Sequence, residues 1–476
     1  MVQRISTGVF LERLDKLYNE KNRSMKITSA LIKKYNVPAP RYTSYPTVPC
    51  WQTDYWSRKQ WVDSVKRAYS ESRPWGISIY IHLPFCESLC TYCGCTTRIT
   101  KNHSVELPYI AAILKEWSMY CDALGSKPRI REIHLGGGTP TFFSPENLEK
   151  LIGGITSTSE QIGKPEFSFE GHPANTTAAH LQVLYNCGFR RLSLGIKDFD
   201  EKVQKIINRK QCIEQVRLVT EEARRIGYTS INYDLIYGLP LQTLSSVAGT
   251  IDEVLSLSPD RIAFYSYAHV PWLKPGQRSF SEKDLPSELE KQELHDLGCE
   301  LLTDAGYLNI GMDHFSLPGD NLYKVFLEKQ LHRNFMGYTH NYTQLSIGLG
   351  VSAISDSLYA FAQNPKDLES YLQQIKKGNI PSIKGHVLSQ EDIVMRRYIL
   401  NIMCNGEAHL NLNDPWSADI ITRLMPLLTD GLVELNNSGT LHVTDTGKKF
   451  LKNICMCFDL RLHNKKTESQ VFSMAV

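Results

Sequence analysis

The sequence predicts an α/β protein built on a barrel-like parallel sheet with six strand–helix units. Apolar, β-branched runs alternate along the chain with segments whose apolar residues recur at helical spacing. Strands that alternate with helices imply a parallel sheet with right-handed crossovers. No GxGxxG motif follows the first predicted strand, which favours a barrel over an open dinucleotide-binding sheet. The six predicted strands are 76–83, 131–137, 166–171, 190–196, 230–238 and 261–269.

Two segments of different character flank the predicted barrel. The Pro- and Tyr-rich stretch at 37–51 predicts an extended N-terminal arm that lies on another part of the protein. Helical patterns from about residue 375 lead into two alternating runs around a turn at 436–439, an order that predicts a mainly helical, winged-helix-like domain. We interpret this domain as a packing or substrate-covering unit rather than a DNA-binding one. The predicted division is an arm at 1–75, a partial barrel at 76–310, a barrel-associated connecting segment at 311–374 and a C-terminal domain at 375–476.

Composition and charge exclude several classes of partner. The chain has 476 residues, of which 42% are hydrophobic, and its 53 Lys and Arg residues against 50 Asp and Glu leave a net charge of only +3. So small an excess gives little neutralisation of phosphates or anionic lipids. No run approaches the length of a membrane-spanning helix, and the first residues are charged without an apolar signal core. We therefore expect a cytoplasmic monomer with no nucleic-acid or membrane partner.

The twelve cysteines divide into scattered ones and one dense cluster. Without a secretory signal a disulfide framework is not expected, because a reducing compartment keeps thiols free. We expect the scattered cysteines to be small buried side chains, and we favour core packing over metal ligation for the pair Cys455 and Cys457. The scattered cysteines are Cys50, Cys121, Cys187, Cys212, Cys299 and Cys404.

The dense cluster follows the first predicted strand directly. Cys86, Cys90 and Cys93 have the spacing C-x3-C-x2-C, and Cys95 comes two residues later. Thiolates at short spacing in one loop suit an iron–sulfur cluster, whereas structural zinc usually takes two C-x2-C pairs or added histidines. Three ligands on a four-iron cluster leave one iron open to a small molecule. The position after a strand also matches the catalytic face of a barrel.

This cysteine spacing, with Tyr92 before the last cysteine, resembles the signature of the radical S-adenosylmethionine (SAM) enzymes. The resemblance implies a full or partial βα barrel and one 4Fe–4S cluster whose open iron chelates the amino and carboxylate groups of SAM. In that superfamily, reductive cleavage of the bound SAM makes a 5′-deoxyadenosyl radical that abstracts hydrogen.

Nine further motifs narrow the resemblance to the oxygen-independent coproporphyrinogen III oxidases, over nearly the whole chain. That family decarboxylates two propionates of coproporphyrinogen III to vinyl groups, which gives protoporphyrinogen IX on the route to haem. The alternative is a radical SAM-type haem chaperone that binds and delivers haem, but the PRYTSYPT arm and Cys95 distinguish the oxidases from it. The motifs are PRYTSYPT (40–47), YIHLPFC (80–86), CGC (93–95), HLGGGTPT (134–141), LIYGLP (235–240), GMDHF (311–315), LHRNF (331–335), GVSAIS (350–355) and NICMCFD (453–459).

The family resemblance also implies a set of site residues. It implies that the cluster ligands are Cys86, Cys90 and Cys93. It also implies that Cys95 and Tyr80 are catalytic residues. Considered alone, the run 136–138 is either a glycine cradle with bared backbone amides for the amino-acid end of SAM or a plain tight turn. The residues implied to bind SAM, as one or two molecules per chain, are Tyr80, Tyr92, Gly137, Gly138, Thr139, Glu170, Lys197, Arg209, Asp234, Ala268 and Ile354.

Three positions depart from the family pattern and concern a second SAM. Lys197 and Met336 stand where glutamine is usual, and His172 stands where an acidic residue is common. An added ammonium near a sulfonium cation is unfavourable. We expect Lys197 to follow the fourth predicted strand, to face the second SAM region, and to pair with Glu170 or a ligand carboxylate.

The implied substrate is a porphyrinogen with four propionates, so Arg or Lys should line its pocket. The candidates are Arg41, Arg209 and Arg333, each of which is alternatively a structural charge. Asp313 and His314 form an ionisable pair that either orients a pyrrole group or is a satisfied buried pair. The chemistry also requires an electron donor such as flavodoxin or ferredoxin.

Overall fold

The computed structural model describes residues 30–464 and 472–475, so residues 1–29 of the predicted arm lie outside the described part. The strands are β1 (Ile77–Leu83), β2 (Phe85–Cys86), β3 (Arg98–Ile99), β4 (Arg129–Gly137), β5 (Glu160–Gly171), β6 (Phe189–Lys197), β7 (Ser230–Tyr237), β8 (Arg261–Ser266), β9 (Leu308–Gly311), β10 (His314–Ser316), β11 (His332–Asn334), β12 (Gly337–Thr339), β13 (Ser346–Leu349), β14 (Ile354–Asp356), β15 (Ala360–Gln363), β16 (Lys384–Val387), β17 (Glu407–His409), β18 (Val433–Leu435) and β19 (Thr440–Val443).

Helices alternate with these strands through the barrel and dominate the C-terminal region. They are Arg58–Ser72, Glu106–Leu124, Pro145–Thr156, Ala178–Asn186, Glu201–Ile206, Ile213–Ile226, Leu244–Ser256, Glu288–Asp304, Asn321–Leu327, Leu368–Lys376, Gln390–Asn405, Ser417–Thr429, Leu451–Met456 and Leu460–Asn464. No helix in the described part of the chain is long and apolar enough to cross a membrane.

The predicted parallel barrel sheet is confirmed. The six predicted strands lie side by side in the order β1-β4-β5-β6-β7-β8, and every neighbouring pair is parallel. Their side chains are buried on both faces, as in β1, because helices cover the outside of a parallel sheet. The sheet stays open: its twelve strands run from β16 at one edge to β9 at the other. A partial barrel is therefore the architecture of this chain.

The segment predicted to connect the barrel to the C-terminal domain supplies strands to the same sheet. β13 pairs in parallel with β1, and β14, β15 and β16 extend that edge in antiparallel fashion. β10 and β9 extend the other edge beside β8. β16 lies beyond residue 375, so the barrel sheet continues further along the chain than its sequence pattern indicates. These strands are three or four residues long, too short for a clear alternation of apolar residues.

The C-terminal region forms its own core. The predicted hairpin is confirmed, because β18 pairs with β19 and β17 adds a third strand. Tyr42 and Tyr45 of the arm pack into the same apolar cluster, and the Tyr42 hydroxyl donates to Asp459 Oδ2 at 3.0 Å. This part of the arm thus lies on the C-terminal region, whereas the helix Arg58–Ser72, also within the predicted arm, packs into the barrel core through Trp61 and Val65. Cys455 and Cys457 are buried in that cluster, in agreement with the core-packing interpretation.

The burial predicted for the scattered cysteines holds only in part. Cys50 and Cys404 are buried, whereas Cys212 is exposed at the start of the helix Ile213–Ile226. The expectation was wrong for Cys212, which stands at the N-cap position of that helix with its side chain in solvent. Partial burial applies to Cys121, Cys187 and Cys299.

Candidate active site

A cavity of about 480 Å³ opens at the carboxyl ends of the barrel strands. The loop after β2 forms one wall, and residues from the ends of β4, β5, β6 and β7 form the others. The structure brings most of the sequence-predicted site together here. The predicted residues that line this first cavity are Cys86, Cys90, Tyr92, Cys93, Cys95, Gly137, Gly138, Thr139, Glu170, Lys197, Arg209 and Asp234.

The cysteine loop is held in place from two sides. On one side Thr91 N donates to Ile207 O at 3.0 Å, and Asn208 Nδ2 donates to Leu89 O at 2.8 Å. On the other side the segment after β8 contributes two side-chain donors. These bonds are Gln277 Nε2 to Tyr92 O at 3.1 Å and Lys274 Nζ to Cys95 O at 3.1 Å. The carbonyls of Leu89, Tyr92 and Cys95 are therefore satisfied, and all four cysteines of the loop line the cavity.

The environment of the loop favours the thiolate at Cys93, whereas burial raises the pKa of Cys86 to about 11. The hydrogen bond from the Cys95 thiol lowers the pKa of Cys93 to about 6, with help from the cations Lys274 and Lys197. Because Cys95 donates that bond, its own pKa is raised well above the usual value. Arg209 Nη1 lies 3.6 Å from Cys90 Sγ and can stabilise negative charge there.

The donor set suits an iron–sulfur cluster better than a single ion. In the described part of the chain no three His, Cys, Asp or Glu side chains converge on one metal position. Thiolates around a cubane each bind a different iron, so they stand further apart than the ligands of one zinc ion. Three thiols on one anchored loop, with an arginine beside them, fit a 4Fe–4S cluster.

The glycine run lets neighbouring backbone segments pack closely, but its amides are not free. The expectation of bared N–H groups was therefore wrong. Gly138 N donates to Leu83 O at 2.8 Å, and Thr139 N donates to Phe85 O at 3.0 Å. These bonds pair the end of β4 with the chain that leads into Cys86. A Cβ at Gly138 would lie 2.7 Å from the carbonyl of Pro84.

Glu170 stands at the boundary of two cavities. Its Oε2 accepts from Gly137 N at 3.3 Å, and His134 Nε2 lies 3.4 Å from Oε1. Burial opposes ionisation of Glu170, but the His134 hydrogen bond and the nearby charges of His134 and Lys197 outweigh it and lower its pKa. An ionised carboxylate at this place can accept hydrogen bonds from an ammonium or from ribose hydroxyls.

Lys197 pairs with Asp234 and not with Glu170, which corrects the expected pairing. Its Nζ lies 3.0 Å from Asp234 Oδ2, and both side chains line the first cavity. Asn232 Nδ2 donates to Asp234 Oδ1 at 2.8 Å, and sequence reasoning missed this residue. The reason for the different partner is the sheet register: Gly195 of β6 stands opposite Asp234 of β7, and a bulge follows before Lys197.

Arg209 belongs to the cysteine side of the first cavity. Its Nη2 donates to Gly195 O, and its Nη1 meets the Cys90 thiol. The side chain of Arg209 therefore binds the cysteine loop and β6, and it is not positioned to bind a propionate of the substrate.

A second cavity of about 280 Å³ lies on the other side of Glu170. Tyr80 and Ile354 line it, together with Met336, so these predicted residues are separated from the cysteine loop. A chain of contacts connects the two: Tyr80 OH lies 3.0 Å from His82 Nδ1, and His82 Nε2 lies 2.9 Å from Thr96 O. His82 was not singled out in the sequence because a histidine inside a predicted strand is usually core.

Ala268 lines neither cavity. Its carbonyl accepts from Gln277 Nε2 at 3.2 Å, and the same amide donates to Tyr92 O. Ala268 is thus linked to the site through the backbone. Lys197, by contrast, lines the first cavity only.

Comparison with known proteins decides the family. The model of the radical SAM superfamily matches residues 80–254. Over 94% of its length the chain is 37% identical to the oxygen-independent coproporphyrinogen III oxidase of Escherichia coli, of which it covers 98%. The chain belongs to the oxygen-independent coproporphyrinogen III oxidases. The corresponding enzyme of Pseudomonas aeruginosa is also 37% identical, over 90% of this chain and 95% of its own.

A solved structure supports the same family. The coproporphyrinogen III oxidase of Escherichia coli, described as a radical SAM enzyme, superposes with a TM-score of 0.84 and 36% identity, over 90% of this chain and 98% of that one. Membership in the family implies a 4Fe–4S cluster and SAM as cofactors and a porphyrinogen as substrate. The cysteine loop and the first cavity have the donors that such cofactors need.

Proposed function

We propose that this oxygen-independent oxidase converts coproporphyrinogen III to protoporphyrinogen IX by oxidative decarboxylation of two propionates, as a step of haem biosynthesis. The observation that carries the proposal is the joining, in one cavity, of three anchored cysteines with the polar residues that the family uses for SAM. The haem-chaperone alternative is not favoured, because the curated relatives are named as oxidases.

Cys86, Cys90 and Cys93 would hold one cluster in the first cavity. When bound, the cluster and SAM supply one-electron chemistry that can abstract a hydrogen atom from a substrate. The chain itself prepares the site: the hydrogen bond from Cys95 stabilises the Cys93 thiolate, and Arg209 stabilises Cys90. Cys95 would remain outside the ligand set and would act on the reaction.

The remaining family residues would bind SAM through charge and close contact. The ionised carboxylate of Glu170 would accept the ammonium group of SAM, and Thr139 and the glycines Gly137 and Gly138 would allow its amino-acid end to approach. Asp234, held by Lys197, would orient hydroxyl groups. Packing and backbone contacts would come from Tyr92, Ala268 and Ile354.

Tyr80 would act from the second cavity as a catalytic residue. Its hydroxyl is joined through His82 to the carbonyl of Thr96 in the cysteine loop, so its orientation depends on that loop. Tyr80→Phe should keep full iron content and lower the rate of decarboxylation. Equal rates for the variant and the unmodified protein would remove Tyr80 from the catalytic residues.

We further propose that the protein works as a cytoplasmic monomer that receives electrons from a small electron-transfer protein such as flavodoxin or ferredoxin. Light scattering of the anaerobic holoenzyme would measure its mass, and activity with each reduced donor would be compared.

The decisive test is anaerobic turnover. The reconstituted protein would be mixed with coproporphyrinogen III, SAM and a reductant, and the products identified by mass spectrometry. We expect loss of two carboxyl groups and formation of methionine and 5′-deoxyadenosine. A substrate deuterated at the propionate β-carbon should transfer its label to the nucleoside. Unlabelled 5′-deoxyadenosine with labelled product would contradict direct hydrogen abstraction from that carbon.

A further inference from the structure

Cationic side chains gather where the carboxyl ends of β7 and β8 meet the arm and the C-terminal region. Arg41 Nη2 donates to Ser266 O at 3.1 Å, at the end of β8. Lys291 Nζ donates to Tyr267 O at 3.2 Å, and its stem crosses Gly238, where a Cβ would lie 2.9 Å from Lys291 Cε. We call the following set the cationic cluster: Arg41, Lys291, Arg333 and Lys452.

Among the described residues, two acids act on the lysines of the cationic cluster, and Lys452 Nζ also donates to Ala475 O at 2.7 Å. Asp313 and Arg41 act electrostatically on both Lys291 and Lys452, whereas Glu288 acts on Lys291. Burial, then the charges of Lys452 and Arg41, lower the pKa of Lys291 to about 8. Like charges held together at low exposure are unfavourable unless an anion joins them.

Arg333 provides an independent sign of a missing anion. Its side chain is only 7% exposed, with the guanidinium carbon 4.6 Å from the centre of the Tyr338 ring. Neither Nε nor Nη1 of Arg333 meets an acceptor among the described residues. Buried N–H donors without acceptors are costly, and a guanidinium is shaped to bind a carboxylate through two bonds.

His314, which neighbours Arg333, carries no charge that could balance the cationic cluster. Burial, followed by the positive charge of Arg333, lowers the pKa of His314 to about 4, so its imidazole is neutral at pH 7. Its ring packs against Tyr265 with centroids 5.7 Å apart. Tyr265 lies on β8, and the neighbouring strand β7 carries Asp234 opposite Ala263. The cationic cluster is therefore next to the SAM-binding residues, across Tyr265.

We infer that the cationic cluster binds the two propionate carboxylates that do not react, and that it orients the tetrapyrrole so that the other two propionates face the first cavity. This inference rests on the proposed function. The two reacting propionates must lie beside the SAM-binding residues, because hydrogen is abstracted there. The two retained propionates are carboxylates that cations elsewhere in the protein must bind. Substrate and product share the retained carboxylates, so both should use the cluster.

The test compares binding of two stable oxidised probes, coproporphyrin III with four carboxylates and protoporphyrin IX with the two retained ones. Removing two charges with Lys291→Met/Lys452→Met should weaken both probes by about tenfold or more. Lys291→Arg/Lys452→Arg keeps the charges and should stay within about threefold of the unmodified protein. Lys384→Met, a half-buried lysine over the Trp51 ring outside the cluster, is the matched control and should bind both probes normally.

The outcomes separate the two proposals. Failure of the unmodified protein to turn over coproporphyrinogen III would overturn the proposed function and this inference with it. Equal affinities for the unmodified protein and the double Met variant would overturn this inference alone, as would a loss confined to coproporphyrin III. SAM binding reports correct folding of each variant. If the double variant loses SAM binding, Arg41→Met, at an exposed arm position, replaces it with the same expected weakening of both probes.

Discussion

The ammonium of Lys197 lies 3.0 Å from Oδ2 of Asp234, across the neighbouring strands β6 and β7. Both side chains are mostly buried in the first cavity, with 15% and 19% of their surface exposed. The ion pair neutralises the cation that replaces the usual glutamine. A cationic ligand in the first cavity would therefore meet a lysine whose charge Asp234 compensates.

This pair predicts opposite effects of two substitutions on SAM binding. Lys197→Gln should tighten binding by about three- to tenfold, because the freed Asp234 carboxylate then attracts the positively charged ligand. Asp234→Asn should weaken binding, because Lys197 is left unpaired. Equilibrium binding under anaerobic conditions measures both, and Lys202→Gln at an exposed helix position is the control. Weaker binding by Lys197→Gln would show that the lysine itself contacts SAM.

The cysteine loop predicts a difference between ligands and a non-ligand. Cys86→Ala, Cys90→Ala and Cys93→Ala should each abolish the iron content and the brown absorption of the anaerobically purified protein. Cys95→Ala should keep the cluster and lose turnover, because its thiol bonds to Cys93 and is not part of the ligand set. Cys212→Ala, an exposed thiol, is the control for both readouts. Full iron loading of Cys90→Ala would refute the ligand assignment.

Two glycine substitutions should change stability in opposite directions. Gly138→Ala places a Cβ 2.7 Å from the Pro84 carbonyl, so we expect a loss of about 1–3 kcal/mol in the free energy of unfolding and weaker SAM binding. Gly153→Ala lies inside the helix Pro145–Thr156, where the added Cβ has no other atom within 4 Å. We expect it to raise the free energy of unfolding by about 0.5–1 kcal/mol. Denaturant unfolding of the apoprotein measures both. An unchanged free energy of unfolding for Gly138→Ala would show that β4 and the chain before Cys86 can move apart without cost.

Glu116 predicts a pH dependence of stability. Burial raises its pKa to about 7, although Gly350 N, Tyr371 and Asn364 donate hydrogen bonds to the carboxyl. Between pH 4.5 and pH 7 the folded state holds a proton that the unfolded chain releases, so the stability contributed by this group falls as pH rises through that window.

Glu116→Gln should therefore flatten the fall in stability between pH 5 and pH 7.5. Thermal unfolding across that range compares it with the unmodified protein and with Glu71→Gln, whose side chain is 41% exposed. Parallel curves for Glu116→Gln and the unmodified protein would show that Glu116 ionises normally.

Local pattern in the sequence was sufficient for the six barrel strands and for the loop that carries the proposed cluster ligands. Strand alternation repeats over a few residues, and the spacing of Cys86, Cys90 and Cys93 lies within one loop, so neither depends on how distant segments meet. β5 begins earlier than predicted, because Glu160 and Gln161 pair with β4 although Gly163 and Pro165 interrupt the apolar pattern.

Only the tertiary structure decided which partners the site residues take. The pairing of Lys197 with Asp234 depends on strand order, register and one bulge, none of which can be predicted from the local sequence pattern. The amides of the glycine run are occupied for the same reason. The cationic cluster joins residues 41, 291, 333 and 452, whose proximity arises when the arm and the C-terminal region close over the ends of β7 and β8. Contacts between segments so far apart are set by the packing of whole elements, and the charge of each residue in the sequence says nothing about which other charges it will meet.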